Sequence, residues 1–290
     1  MIVYVKLLFM AIFWGGTFIA ARVVSQSVDP FSASFLRFAV ASIFLVLVTI
    51  RLEGRIPRLK RHQILPIILL GMTGVFAYNF FFFSGLKTVE AGRASIIVAM
   101  NPIFIALFAT TFFKEKLTGI NLIGIVLCVS GAIIVISKGN PLGIIRGGIG
   151  TGEFYILGCV ASWVLYSLIG KTTMKDMSPL TAVTYSCVAG GILLFFPSCA
   201  EGILTDITTY NAMSWLGIVY LGFFGTVLGF TWFYEGIKKI GASKASVFIN
   251  FVPISAVILA SLILKEKLGL FLITGAIMVI CGAYLTNKKR

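Results

Sequence analysis

The stretch AGRASIIVAMNP, residues 91–102, returns as ASKASVFINFVP, residues 242–253. A shift of the chain against itself by 151 positions superposes the two, with Pro102 on Pro253. The same register lays the tetrapeptide KEKL at 114–117 on KEKL at 265–268. Downstream it places Gly124 on Gly275, Gly131 on Gly282 and Ala132 on Ala283; upstream, Gly71, Gly74, Gly85 and Lys87 on Gly222, Gly225, Gly236 and Lys238. The beginnings of the two halves superpose at a shift of 149, which pairs Trp14 with Trp163, Arg22 with Lys171 and Pro30 with Pro179. The two-residue difference falls in the gaps near 51–63 and 200–211. The chain therefore reads as two copies of one unit, 1–137 and 153–290, joined by the glycine-rich linker KGNPLGIIRGGIGTG (138–152).

Composition says what the unit is. Hydrophobic residues make up 59% of the 290, charged residues 12%, and the mean hydropathy is +1.03. A soluble domain of this length needs a polar surface that such a chain cannot supply, so the bilayer is its solvent. A membrane-crossing helix takes about 20 mostly apolar residues. Ten such runs stand out, at 3–25, 31–50, 64–86, 94–113, 119–137, 154–170, 179–199, 211–236, 245–264 and 268–286. They are continuous apolar runs, unlike the short alternating segments of a membrane β-barrel. Each copy thus holds five spans. Because five is odd, the copies enter the membrane from opposite sides. The expected fold is an all-α membrane protein of ten transmembrane helices, two inverted five-helix repeats around a central cavity, an architecture associated with alternating-access transport.

The net charge of +14 lies in the gaps between spans, not in a basic domain, which excludes a nucleic-acid reading. With the N-terminus in the cytoplasm, cytoplasmic segments hold 16 basic residues and the opposite side 7. The positive-inside rule then predicts a multi-pass protein of the cell membrane with both termini cytoplasmic. The first span is read as a retained helix, since no A-x-A cleavage site follows it. The five cysteines all fall within spans, in no disulfide or CxxC pattern, and read as packing residues. Neither a Walker motif nor a G-x-G-x-x-G loop occurs, so neither ATP nor another cofactor is expected. The expected partners are a small-molecule substrate and the lipid bilayer. A monomer is expected, with a dimer as the alternative.

Several motifs carry a family resemblance. WGGTF (14–18), LRF (36–38), SGLKTVEAGRAS (84–95), the mid-helix NP (101–102), KEKL and the paired glycines of the fifth span resemble one EamA repeat. The second half is similar but altered at its start. Trp163 is retained, Val164-Leu165 replaces the two glycines, and Tyr185-Ser186 stands where Leu36-Arg37 would. The whole chain resembles the ten-helix branch of the drug/metabolite transporter superfamily, whose members are similar to exporters of amino acids, including aromatic ones, other metabolites and toxic compounds. The resemblance implies a cavity between the repeats. The expected activity is export of small metabolites such as amino acids, with a proton-coupled drug exporter as the alternative.

The residues point to the cavity independently. Proline removes a backbone hydrogen bond and kinks a helix. Paired interruptions at matching repeat positions, here Pro102 and Pro253, mark a transporter's binding site. Asn101 and Asn250 beside them are amides at membrane depth, which face inward or bridge helices. Helical spacing adds Ser95 in the fourth span and Tyr78, Asn79 and Phe82 in the third. Trp14 in the first span, Trp163 and Tyr166 in the sixth and Trp232 in the eighth complete the set expected to line the cavity, which suits a ligand with an aromatic or amphipathic body.

Ionisable groups within spans are few. Arg37 is read as structural, since its repeat mate is Ser186. Glu235 is expected to pair with Lys238 or Lys239. The related four-helix multidrug exporters use a glutamate of their first helix, but residues 3–25 contain no acid. Facilitated transport, or coupling through Glu235 or Glu153, is left. One histidine, His62, and no carboxylate pair deep in a span argue against an intramembrane enzyme. KEKL reads as a tight turn between the fourth and fifth helices of each repeat, with Glu115 and Glu266 in the first turn of the following helix. The first copy is expected in the cytoplasm and the second outside.

Overall fold

The computed structural model describes residues 2–113, 118–140, 149–175, 177–240, 245 and 247–287, apart from the side chains of 106, 109–113 and 287. The KEKL copy at 114–117 and residues 141–148 of the linker lie outside these. No strand occurs among the described residues. Ten apolar helices follow one another: α1 (Ile2–Val24), α2 (Pro30–Glu53), α3 (Arg61–Leu86), α4 (from Ala91), α5 (Gly119–Ile136), α6 (Thr151–Thr173), α7 (Pro179–Ala200), α8 (Ala212–Ile240), α9 (Phe248–Ile263) and α10 (from Leu270). Seven are long enough to cross a membrane by themselves; α4, α9 and α10 are the shorter ones. Their outer faces expose Leu47, Leu65, Val126, Phe196, Leu262 and many similar side chains, as lipid contact requires.

Two features depart from the expected continuous helices. α4 is broken, not kinked. Its first segment ends at Val98, Ala99 and Met100 turn, and a second segment begins at Asn101. Pro102 sits in the first turn of that second segment, where its missing N–H leaves nothing unmet. α9 is likewise marked off by a 3-10 turn, Phe248–Asn250, which separates the helical Val247 from Phe251–Ile263. Secondly, α3 and α8 each carry a π-helical segment at the same repeat position, Gly71–Ala77 and Tyr220–Leu228. A π segment shifts the backbone ladder and frees carbonyls, often at functional sites.

The packing between halves is reciprocal. In α5 and α10, a Cβ on Gly131 would lie 2.8 Å from the Gly275 carbonyl oxygen, and one on Gly275 would lie 2.8 Å from that of Gly131. Gly124 and Gly282 stand in the same relation, at 2.7 and 2.6 Å. Only glycine allows this approach, the close-packed seam that membrane helices use where burial drives no association. α2 and α7 run antiparallel, each ending in a glutamate that bonds the start of the other: Glu201 caps α2, and Glu53 holds the hydroxyls at the start of α7. Glu201 accepts from the Ser32 amide at 2.7 Å and from the Phe31 amide at 3.2 Å. Glu53 accepts from the Thr181 hydroxyl at 2.7 Å and from the Ser178 hydroxyl. Ser32 and Thr181 are repeat mates at the shift of 149. The negative charges sit where helix dipoles and unpaired amides favour them.

These contacts define two sides. The terminal side carries Lys6, Glu53, Thr118, Met174, Glu235 and Thr286. The far side carries Arg22, Leu86, Ile136, Glu201 and Glu266.

Candidate functional site

Between the halves lies a cavity of about 870 Å³. Ligand sites of transporters and enzymes commonly measure about 300–1,000 Å³. Its walls reach Thr118, Asn121, Lys171, Met174 and Thr286 at the terminal side but none of the residues at the far-side helix ends. It therefore opens toward the terminal side.

Polar contacts close the far side. The Glu266 carboxylate accepts from the amides of Ala91 at 2.8 Å and Gly92 at 3.0 Å. Arg93 donates to Glu153 at 2.8 Å and to the Ile136 carbonyl at 3.1 Å. Lys87 meets Asp29 at 2.9 Å, Ser27 meets Ser214 at 2.7 Å, and Arg22 donates to the Leu86 carbonyl. Glu266 thus corrects the expected role of the second KEKL. Its helix begins only at Leu270, and its carboxylate instead caps α4 of the other repeat. A backbone turn at Lys265, with φ of +57°, precedes it.

Ten of the twelve residues expected at the cavity lie in its wall: Trp14, Tyr78, Asn79, Ser95, Asn101, Pro102, Trp163, Tyr166, Asn250 and Pro253. Both helix breaks therefore reach it. Phe82 and Trp232 lie elsewhere. Phe82 is fully buried in the core, edge-on to Phe18 at 5.1 Å. It points to the packed flank of α3, one turn beyond Tyr78. Trp232 packs on Phe13 at 5.6 Å. The face that α8 turns inward is Phe230, Phe233 and Tyr234, and residue 232 falls on the opposite side of the helix. The i, i+3, i+4 spacing of Phe230, Phe233 and Tyr234 was the signal for this face.

The aromatic wall is continuous across the halves. Trp14 lies 5.5 Å from both Phe230 and Phe233. Trp163 lies 5.2 Å from Tyr166 and 5.4 Å from Tyr78. Side chains satisfy the carbonyls that the π segments free. The Trp14 indole donates to Gly225 at 2.8 Å, the Asn79 amide nitrogen to Val75 at 2.8 Å, and the Thr226 hydroxyl to Leu221 at 3.0 Å.

Arg37, read from the sequence as structural, also lies in the wall. It is 8% exposed and donates to the Asn79 amide oxygen at 2.8 Å. It also reaches the Thr226 hydroxyl, from Nε at 3.4 Å and from Nη2 at 3.3 Å. Its guanidinium stands 5.3 Å from the Phe38 ring centre. Glu235, by contrast, lies outside the cavity, paired with Lys239 at 2.8 Å as the spacing predicted and also with Lys6 at 2.7 Å.

Comparison with known proteins agrees with this geometry. The model of the EamA-like transporter family matches twice, over residues 1–137 and 150–288. An uncharacterized Bacillus subtilis transporter, YyaM, is 32% identical over 280 residues, covering 97% of this chain and 92% of that protein. A relative in Streptantibioticus cattleyicolor, named "Probable terminal-alkyne amino-acid exporter", is 26% identical over 279 residues, covering 95% and 90%. A crystal structure 20% identical in sequence has the same fold, with a TM-score of 0.65 over 97% of this chain and 96% of that one. The chain is a multi-pass membrane transporter of small molecules, and it belongs to the EamA-like transporter family.

Proposed function

We propose that this protein exports small metabolites, amino acids with apolar or aromatic side chains foremost, from the cytoplasm by alternating access. The observation that carries the reading is the aromatic cavity between pseudo-symmetric halves, open to one side and sealed on the other. With the termini cytoplasmic, as the distribution of basic residues favours, the open side faces the metabolite pool of the cell. Inverted repeats allow the two halves to exchange their arrangements, which would close the terminal side and open the far one. The relative with an amino-acid exporter's name supports the substrate class. Transport is facilitative in this reading and needs no ATP, and the working unit is a monomer in the cell membrane.

The test is uptake into proteoliposomes of labelled amino acids, nucleosides and cationic drugs, with and without a proton gradient. Movement of apolar amino acids independent of the gradient is expected. Transport of cationic drugs alone, dependent on protons, would replace this reading with that of a drug exporter.

A further inference from the structure

Arg37 presents a charge with no counter-ion among the described residues. The guanidinium has five N–H donors in a planar fork. Thr226 and Asn79 account for three of them. No carboxylate pairs with it among the described residues, and both partners are neutral. Among the described residues the cavity wall carries two basic side chains, Arg37 and Lys171, and no Asp or Glu. A desolvated cation at this depth is unfavourable without a partner, and residues that persist in such places usually meet a transported charge. Its surroundings also hold it in place. The Asn79 side chain is fixed at its nitrogen by Val75 and at its oxygen by Arg37. Thr226 is fixed by Leu221. Both anchors stand at the π segments, so two irregular helices converge on one side chain.

A second unmet group stands in the same wall. The Asn101 amide oxygen is buried, on a residue 8% exposed, and has no hydrogen-bond partner among the described residues. It sits at the break in α4, next to Pro102. A buried amide oxygen left unpaired is costly unless a donor arrives. Two unmet N–H donors and one unmet acceptor thus face a cavity whose remaining wall is largely aromatic.

We propose that Arg37 is the anion-recognition residue of this cavity. The ligands it takes carry a carboxylate on an apolar or aromatic body, with Asn101 accepting from an ammonium or other donor on the same molecule. The carboxylate would complete the guanidinium fork in the paired geometry that arginine favours. Cations lacking an acid group are repelled by the same charge. This rests on the exporter reading above and adds a rule for selecting substrates.

The test uses three compounds of one shape with the wild-type protein in proteoliposomes: phenylalanine, phenylpropionate, which lacks the ammonium, and phenethylamine, which lacks the carboxylate. Binding is read separately by quenching of the Trp14 and Trp163 fluorescence in detergent. Phenylalanine should bind and move best, phenylpropionate less well, and phenethylamine weakest, by roughly ten- to hundredfold, the worth of a hydrogen bond to a charged group. R37Q should remove the preference for the acids, and R37K should restore part of it. If phenethylamine moves as well as phenylalanine, the exporter reading stands and the role of Arg37 falls. If the wild type neither binds nor moves any of the three, both fall. The wild-type comparison does not depend on the folding of any variant.

Discussion

Glu266 and Gly92 belong to different repeats, yet the carboxylate of one accepts from the backbone amide of the other at 3.0 Å, beside a second bond to Ala91 at 2.8 Å. The contact joins the loop before α10 to the start of α4, across the sealed end of the cavity. An opening of the far side that parts these elements must break both bonds. E266A should therefore favour the open far side. Two bonds to a charged acceptor, at about 1.5–3 kcal/mol each before water replaces them, bound the shift in population at tenfold or more. Labelling of a cysteine placed at Val89, which is buried, by a membrane-impermeant maleimide should rise from the far side. Unchanged labelling would mean that the cap plays no part in closure.

The reciprocal caps of α2 and α7 make a matched pair. E201A should lower stability by about 1–2 kcal/mol, the usual loss on removing a helix cap, and E53A by a similar amount, since it removes two hydroxyl bonds to a charged acceptor. Thermal unfolding in detergent reads this. The two sites lie at opposite ends of the α2–α7 pair, so the double variant should lose the sum of the single effects. A double variant no worse than either single one would show that the caps are not independent.

The seam of α5 and α10 tolerates no side chain at its crossings. G131A and G282A should each destabilise by about 1–3 kcal/mol through overpacking. A Cβ at Gly282 would meet the Gly124 carbonyl oxygen at 2.6 Å. G119A is the control, since nothing lies within 4 Å of its Cβ position. Monodisperse yield on size exclusion and the thermal midpoint separate them.

Glu235 is held by Lys6 and Lys239 on the terminal side, away from the cavity wall. A half-exposed pair of this kind contributes at most about 1 kcal/mol. E235Q should thus leave uptake and its response to a proton gradient within about twofold of wild type. Loss of gradient-driven uptake in E235Q would assign the coupling to this residue.

Opposite orientation of the halves can be read by chemistry. In a background with Cys199 and Cys281 replaced, H62C and K267C should react with impermeant maleimide from opposite faces of the membrane. Reaction of both from one face would contradict the inverted arrangement.

Much of the fold was legible because a bilayer imposes a simple rule. Each span must be long, apolar and helical, and the repeat register then aligns its fellows. Pro102 and Pro253 marked the cavity because a helix break at membrane depth needs neighbours that satisfy it. Two kinds of feature were not legible. Phe82 and Trp232 were misplaced because aromatic residues are as common in the core and toward lipid as in the cavity, and periodicity within a uniformly apolar helix is faint. The π segments at Gly71–Ala77 and Tyr220–Leu228 shift the facing of the residues after them, which no reading at 3.6 residues per turn anticipates.

By itself the sequence determined ten helices, their duplication and their inversion, since length, hydropathy and an odd number of spans leave no other arrangement. Only the tertiary structure decided what the charges do. Glu266 reads as part of a local turn, yet it closes a contact with Gly92, 174 positions away. Arg37 reads as structural from the sequence, yet its neighbours Asn79 and Thr226 come from two different repeats and leave it facing the cavity with no counter-ion among the described residues. Hydropathy is set by each segment alone and can be read along the chain. The partner of a charge is set by which helices meet, and that exists only once the halves have packed.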